Sequence, residues 1–360
     1  MSLGQKLRLQ SLSGPVLITG HTGFKGTWLT LLLEKLNIEV VGYSLSPEKD
    51  GLFDRANRTG AIREEFADIR DSEKLDSYIQ TVRPSAIIHM AAQPLVLASY
   101  RIPKETFDVN VIGTVNMLNS AFSCDSINAV VAVTTDKVYR NDNSVRAFIE
   151  SDALEGKDPY SASKVGAEAA VSAWQQIARV RGGPRVVSVR AGNVIGGGDW
   201  ATERLLPDLL RSFIKKESFV VRNPNSTRPW QHVLDPINGY LDVLEFSLGN
   251  DTASAFNFGP DSSSLSVSEV IKIASKQWQG RLIMESGLND QPSNIEALNL
   301  SLDSSLAHKM LGWAPYWSQE SAIVATIKWW DKVLNYGIDA NKACLDDISE
   351  LIENKHFQND

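Results

Sequence analysis

Two cysteines, Cys124 and Cys344, in 360 residues leave room for neither a disulfide framework nor a cysteine-based zinc site. The five histidines stand far apart, at 21, 89, 232, 308 and 356, with no His-x-x-x-His spacing, so no metal site is expected. No apolar run approaches the ~20 residues of a membrane-spanning helix. Lys6 and Arg8 are followed by no apolar core and no small-residue cleavage site, so no signal peptide is expected and the expected compartment is the cytoplasm. A basic surplus is missing too: 36 Lys plus Arg face 43 Asp plus Glu, for a formal net charge of −7. Nucleic acid and acidic membrane surfaces are therefore not expected partners. An anionic ligand would have to be held by a few local cations.

What the chain does have is an ordinary globular composition, 43% hydrophobic and 22% charged. Its length suits two domains, or one α/β unit with an appended lobe. Short apolar runs at 15–19, 39–43, 86–90, 129–134 and 185–190 read as buried strands. Segments 28–36, 71–82, 104–122 and 160–180 read as the helices between them. This alternation predicts an α/β fold, a doubly wound parallel sheet of Rossmann type covered on both faces. Ligands in such sheets bind beyond the carboxyl ends of the strands. Residues 14–190 are expected to form a dinucleotide-binding domain, joined by a strand returning near 255–259. Residues 191–331 read mainly as a smaller mixed α/β substrate-binding lobe, with 1–13 a polar leader and 332–360 a C-terminal tail.

The run Thr19-Gly20-His21-Thr22-Gly23-Phe24-Lys25-Gly26 is a Gly-x-x-Gly-x-x-Gly turn between the first strand and the first helix. Glycine lets the backbone bend and approach a pyrophosphate closely, and the helix N-terminus behind it offers N–H groups. In that context the turn predicts dinucleotide binding through Gly20, Thr22, Gly23, Phe24, Lys25 and Gly26. The second strand ends in Tyr43-Ser44-Leu45-Ser46, with neither the ribose-binding acid nor an Arg beside it. NAD is the expected cofactor and NADP the lesser alternative. Further on, Tyr160-Ser161-Ala162-Ser163-Lys164 puts Tyr and Lys four residues apart, on one helix face. An ammonium beside a phenol favours the phenolate, so such a Tyr can take an alcohol's proton while hydride leaves for a nicotinamide.

With these residues the chain resembles the extended short-chain dehydrogenase/reductase family over about 14–331. The resemblance rests on Gly20-x-x-Gly23-x-x-Gly26, Asp68-Ile69, His89-Met90-Ala91-Ala92, Asn110-Val111-Ile112-Gly113-Thr114, Thr135 and Tyr160-x-x-x-Lys164. It implies that Asp68 and Ile69 flank an adenine, that Ala91 and Ala92 line the dinucleotide, and that Thr135, Tyr160 and Lys164 form a catalytic triad. Longer matches at 89–96, 135–137, 190–200 and 228–233 resemble the subfamily that dehydrates CDP-glucose to a 4-keto-6-deoxy sugar. In that chemistry Asp136 would be an acid if burial raises its pKa, and Lys137 either a base or an electrostatic stabiliser. Gln93, Asn193, Arg204, Arg228 and His232 would lie near the nucleotide sugar, with Arg228 the first candidate for its diphosphate and Trp200 and Trp230 as candidate pocket walls.

The resemblance also implies a homodimer through a four-helix bundle, with stripes at Val111, Thr114 and Leu118 and at Val165, Ala169 and Ala173. One departure is Ile295-Glu296-Ala297, where the family has His-Glu-Ala. The alternative enzyme is a 4-epimerase or a dehydratase for another nucleotide sugar. A rival of another class, a dinucleotide-binding sensor without turnover, would have no use for Tyr160 and Lys164.

Overall fold

The computed structural model describes residues 7–142, 146–221, 223–249, 253–261, 264–278, 284–286 and 299–357. Ile295, Glu296 and Ala297 lie outside the described residues. A parallel sheet of seven strands runs through the molecule: β1 (Val16–Thr19), β2 (Val40–Ser44), β3 (Arg63–Phe66), β4 (Ala86–His89), β5 (Ala129–Val133), β6 (Arg185–Ala191) and β7 (Ala255–Phe258). Their spatial order is β3-β2-β1-β4-β5-β6-β7. Val16 of β1 is registered with Val40 on one side and Ala86 on the other. The chain therefore reverses its direction of winding at β1 and β4, which opens a crevice at their carboxyl ends.

Every residue of β1, β2, β4 and β5 is buried, because helices cover both faces of the sheet. Leu17, Val41, Ile87 and Val130 face one core with Ile79, Met117 and Leu118. Val16, Ile18, Ile88 and Val131 face the other with Trp28, Leu32 and Leu244. β3 is different: Arg-Glu-Glu-Phe at the sheet edge, with charges where inner strands are apolar, so hydrophobic patterning does not reveal it.

The helix expected at 104–122 is not continuous. It runs as Pro103–Phe107, a π-helical turn at Asp108–Ile112, and Gly113–Phe122. A π turn inserts one extra residue and so rotates the helix beyond it. Thr114 and Leu118, expected on an outer stripe, are buried against the sheet instead. Past β6, three small strand pairs build the second lobe: Asn193–Ile195 with Trp230–His232, Thr227–Arg228 with Leu265–Ser266, and Phe219–Val221 with Met284–Ser286.

The expected leader and the expected tail each contain a helix. Leu7–Gln10 is a short helix in which Leu9 is buried and the Arg8 and Leu9 N–H groups donate to the Glu245 carboxylate at 3.1 and 3.0 Å. The expected tail holds a helix, Ala340–Phe357, whose Ala343, Cys344, Ile348 and Leu351 join the main core. Ile348→Ala is expected to lower unfolding stability by about 2–4 kcal/mol through the cavity it leaves. A urea midpoint equal to the parent's would mean that this helix does not dock.

Candidate active site

The cleft opens where β1, β4 and β5 end and the helix Pro159–Arg181 begins. Gly20 has φ +77°, and a Cβ there would come within 2.8 Å of the Ala91 nitrogen. A Cβ on Gly26 would strike the Gly20 carbonyl, so only glycine lets the helix Phe24–Lys35 seat this close to β1. The N-cap is Gly23, which has no side chain to cap the first N–H groups of that helix. A cradle of this kind fits a pyrophosphate. Thr22 ties the turn to the end of β2, its hydroxyl lying 2.8 Å from Ser44 Oγ and donating to the Leu45 carbonyl at 3.0 Å. Phe24 leans towards Gly196. Ala91 and Ala92 are half-buried across the cleft, and Ala91 N donates to Thr19 Oγ1 at 3.2 Å. Farther out, Arg70 grips Asp68 and holds its carboxyl below the usual range, while Ile69 packs its side chain against Gly113.

Thr135, Asp136 and Lys137 follow β5 directly. Thr135 Oγ1 donates to Asp136 Oδ1 at 3.0 Å, and Lys137 Nζ approaches the same oxygen at 3.4 Å. Lys137 Nζ also donates to Asn193 Oδ1 at 3.3 Å, so the second lobe aims this lysine. Asp136 is fully buried, and its Oδ2 has no hydrogen-bond partner among the described residues. A buried orphan acceptor is costly unless a ligand completes it. Tyr160 is buried, with its phenol beside the Thr135 side chain. Burial pushes its phenol above the ordinary range, against the pull of Lys137, Thr135 and Arg204. Lys137 and Arg204 are thus cations that favour the phenolate, beside the Lys164 to which the spacing points. Lys164 instead donates to the Val133 carbonyl at 3.2 Å, and burial lowers it to about 8 while Glu168 opposes the shift.

Lys25 reaches beyond the turn that carries it. Its Nζ donates to Tyr240 Oη at 3.4 Å, and burial, with Lys164 and Arg204 near, lowers it to about 7. Arg204 is held by Asp199 Oδ2 at 2.9 Å, and that carboxylate raises its already high pKa. Arg228 is buried, with Nη1 donating to the Thr227 carbonyl at 2.8 Å.

Some of the expected ligand residues have protein partners of their own. Gln93 is consumed in its own loop: its amide donates to Thr106 Oγ1 at 2.9 Å and its carbonyl accepts from Leu95 N at 2.6 Å. His232 is a core residue, wholly buried, with its ring 4.1 Å from that of Trp317 and 6.1 Å from that of Trp28. Trp200 and Trp230 are not open pocket walls. Trp200 lies between Arg55 and Arg211, 5.4 and 4.6 Å from its ring, and Trp230 is buried with Nε1 donating to Leu265 O at 3.2 Å.

Sequence reading missed Asn110, Tyr240, Glu168 and Arg190. Asn110 sits in the π turn, accepting from Gln93 N at 2.8 Å and donating to Ser163 Oγ at 2.9 Å. Its place inside a matched motif was the available signal. Among the described residues no group of three or more His, Cys, Asp or Glu is arranged to hold a metal ion.

Residues 16–259 match the NAD dependent epimerase/dehydratase family. The chain is 41% identical over 323 residues to a CDP-glucose 4,6-dehydratase of Salmonella typhimurium, covering 87% of this chain and 89% of that one. It is 25% identical over 366 residues to a dTDP-glucose 4,6-dehydratase of Escherichia coli, covering 89% and 96%. Among solved structures, a dTDP-glucose 4,6-dehydratase from Streptomyces venezuelae with NAD and TYD bound has TM-score 0.75 at 24% identity, over 89% of this chain and 98% of that one. A UDP-glucose 4-epimerase from Thermotoga maritima with UDP-glucose has TM-score 0.76 at 20% identity, over 89% and 99%. At these identities the structural likeness speaks for the fold.

Burial lowers His89 and His232 to about 3, His89 with further help from Lys164. Both are neutral in the folded chain, while the unfolded chain takes up their protons near pH 6.5. Their contribution is therefore complete above that pH and is lost as pH falls towards 3. Between pH 6 and 4 each adds about 1.4 kcal/mol per pH unit to the loss. Urea titrations at pH 7, 6, 5 and 4 measure the slope, and His232→Gln is expected to flatten it. A variant slope as steep as the parent's would contradict the assignment.

Proposed function

The chain belongs to the NAD dependent epimerase/dehydratase family, and from that premise we propose that it is a nucleotide-sugar 4,6-dehydratase acting on CDP-glucose. The carrying observation is the buried Asp136, with its unpaired Oδ2, joined to Lys137 beside Tyr160. A 4-epimerase works with Thr135, Tyr160 and Lys164 alone and has no need of a second acid–base pair. The 41% identical relative bears the same activity in its name and supports the same reading.

Bound NAD supplies the redox chemistry, accepting a hydride from carbon 4 of the sugar and later returning it to carbon 6. Gly20, Thr22, Gly23, Phe24, Lys25 and Gly26 would hold its pyrophosphate, Asp68 and Ile69 its adenine end, Ala91 and Ala92 its flank, and Tyr160 and Lys164 its nicotinamide end. Tyr160 Oη, as the phenolate that the charges of Lys164 and Arg204 favour, takes the proton of the 4-hydroxyl and becomes the phenol. The ketone at carbon 4 acidifies the proton on carbon 5. Asp136 Oδ1 and Lys137 Nζ lie 3.4 Å apart, close enough to pass a proton between them. Once substrate excludes water, the proton rests on Asp136 and Lys137 is left as an amine. Lys137 then removes the carbon 5 proton, and Asp136 protonates the departing 6-hydroxyl, which leaves as water. Elimination leaves the pair as ammonium and carboxylate; Lys137 then protonates carbon 5 as hydride returns to carbon 6, and it regains a proton from Tyr160, which restores the starting state of all three groups. Asn193 aims Lys137, Arg228 and Arg204 are the cations for the diphosphate, and the site lies at the seam between the sheet domain and the second lobe.

A homodimer is part of the same reading. The helix Pro159–Arg181 packs against the π turn so closely that a Cβ on Gly166 would lie 2.7 Å from Val111 Cγ2. The outer face of the pair carries Phe107, Ile112, Ala169 and Ala173, in place of the Thr114 and Leu118 that periodicity suggested. A second copy burying this face would form the four-helix bundle. A cytoplasmic location is consistent with the free Cys124 and Cys344, and among the described residues no helix is long and apolar enough to cross a membrane.

With NAD and CDP-, UDP-, GDP- or dTDP-glucose, the alkali-induced absorbance of a 4-keto-6-deoxy sugar is expected with CDP-glucose first. No product from any of them refutes the reading. Lys137→Met is expected to slow water elimination by about 10²–10⁴-fold while oxidation at carbon 4 persists. Near-normal turnover by that variant would remove Lys137 from the chemistry. Sedimentation at micromolar protein should give a dimer, and a monomer would sink the bundle.

A further inference from the structure

We infer that Glu168 is a positioning residue of the reaction centre: with Arg190 it locks the helix bearing Tyr160 and Lys164 onto the strand ends that lead to Thr135, and it keeps the Lys164 ammonium charged. The inference rests on the proposed proton-transfer role of Tyr160 and Lys164.

Glu168 stands one helical turn beyond Lys164 and is 5% exposed. Its carboxylate accepts from Thr134 Oγ1 at 2.6 Å, Arg190 Nε and Nη2 at 2.8 Å each, and Ser188 Oγ at 3.0 Å. Thr134 immediately precedes Thr135, and Lys164 Nζ reaches the carbonyl of Val133, one residue earlier. The helix and the end of β5 are thus held at two points on consecutive residues. Arg190 extends the lock, donating from Nη1 to Tyr139 Oη at 2.8 Å and to the Glu150 carbonyl at 3.0 Å. Those two contacts secure Tyr139 and Glu150, which lie between Lys137 and Tyr160 in sequence.

Shape alone does not call for ions here, because a buried ion pair rarely outperforms apolar packing. A carboxylate one turn from a buried ammonium has an electrostatic consequence that apolar packing lacks. Among the described residues, the titratable groups near Lys164 are Lys25 from the helix Phe24–Lys35, His89 at the end of β4, and Tyr160 and Glu168 on its own helix. His89 is neutral above pH 4, the Tyr160 phenol is uncharged and Lys25 adds positive charge, so of these Glu168 is the one that favours the ammonium.

The test is Glu168→Gln. The alkaline limb of the kcat–pH profile is expected to move down by about one pH unit. The variant's kcat should then fall about tenfold at pH 9 and less than about threefold at pH 6.5, with KM little changed. Glu168→Asp should return the limb towards the parent's position. If Glu168→Gln does not fold, Glu168→Gln with Arg190→Gln removes both charges at similar shape, and the limb still moves down. A Lys25→Met background removes the neighbouring titration, and the shift persists in it. A folded variant whose kcat drops equally at every pH overturns the inference. Wild-type protein that turns over no nucleotide sugar refutes the proposed function instead. In that case the pH midpoint for reductive methylation of Lys164, followed by mass spectrometry, still decides the charge: a lower midpoint in Glu168→Gln supports the inference and equal midpoints overturn it.

Discussion

Positive charge crowded into the cleft around Tyr160 is the constraint to which the rest of the site answers. Lys25, Lys137, Lys164 and Arg204 come from four separate segments and act on one another or on the phenol. Burial lowers two of these lysines to about 7 and 8. Taking a charge out of water costs several kcal/mol unless a partner compensates. Three of the four have a carboxylate: Asp136 for Lys137, Glu168 one turn from Lys164, Asp199 for Arg204. Lys25 has the phenolic oxygen of Tyr240 and the more distant charge of Asp136. A centre so arranged gains stability from an anionic ligand, and that gain is available for binding.

The carboxylates are placed by the fold, each from a different direction. Asp136 follows β5, Glu168 comes from the long helix, and Asp199 comes from the loop leaving the Asn193–Ile195 strand. That loop is tied to the first lobe, since Trp28 Nε1 donates to the Gly197 carbonyl at 3.0 Å. Breaking the Glu168–Arg190 pair by removing one member would strand a buried charge, at about 3–5 kcal/mol. The site is therefore expensive to assemble, and the large core beneath it, joined by the helix at Ala340–Phe357, supplies the stability that permits it.

The parts of this structure legible in the sequence are those where a single physical rule dominates. Inner strands must be apolar on both faces, so β1, β2, β4, β5 and β6 announce themselves. The glycine turn is legible because a Cβ has no room at Gly20 or Gly26. β3 is not legible, because an edge strand with Arg63, Glu64 and Glu65 breaks the rule. The π turn at Asp108–Ile112 is invisible to a 3.6-residue period, and the misplaced stripe at Thr114 and Leu118 results from it. Motif resemblance brought Gln93 and His232 into the right region without their directions. The amide of Gln93 closes its own loop, and the ring of His232 packs between Trp28 and Trp317. Glu168 left no signal of its own and Arg190 only its place at the head of the matched run 190–200, because an Arg near the end of a strand and a Glu on a helix are ordinary until the fold joins them.

The net charge of −7 takes on a different meaning once charges are located. Many carboxylates lie at the surface in exposed pairs, such as Asp108 with Lys104 and Glu155 with Arg140. Such pairs are worth about 0–1 kcal/mol and are weakened by salt. The cations of the cleft sit where the dielectric is lower and screening is weak, so each counts for more. An acidic protein can therefore present a positive interior to a ligand while repelling polyanions from its exterior. A diphosphate small enough to enter the cleft leaves the surface field behind, whereas a nucleic acid strand cannot. The acidic exterior and the basic cleft act together as a size filter on anions.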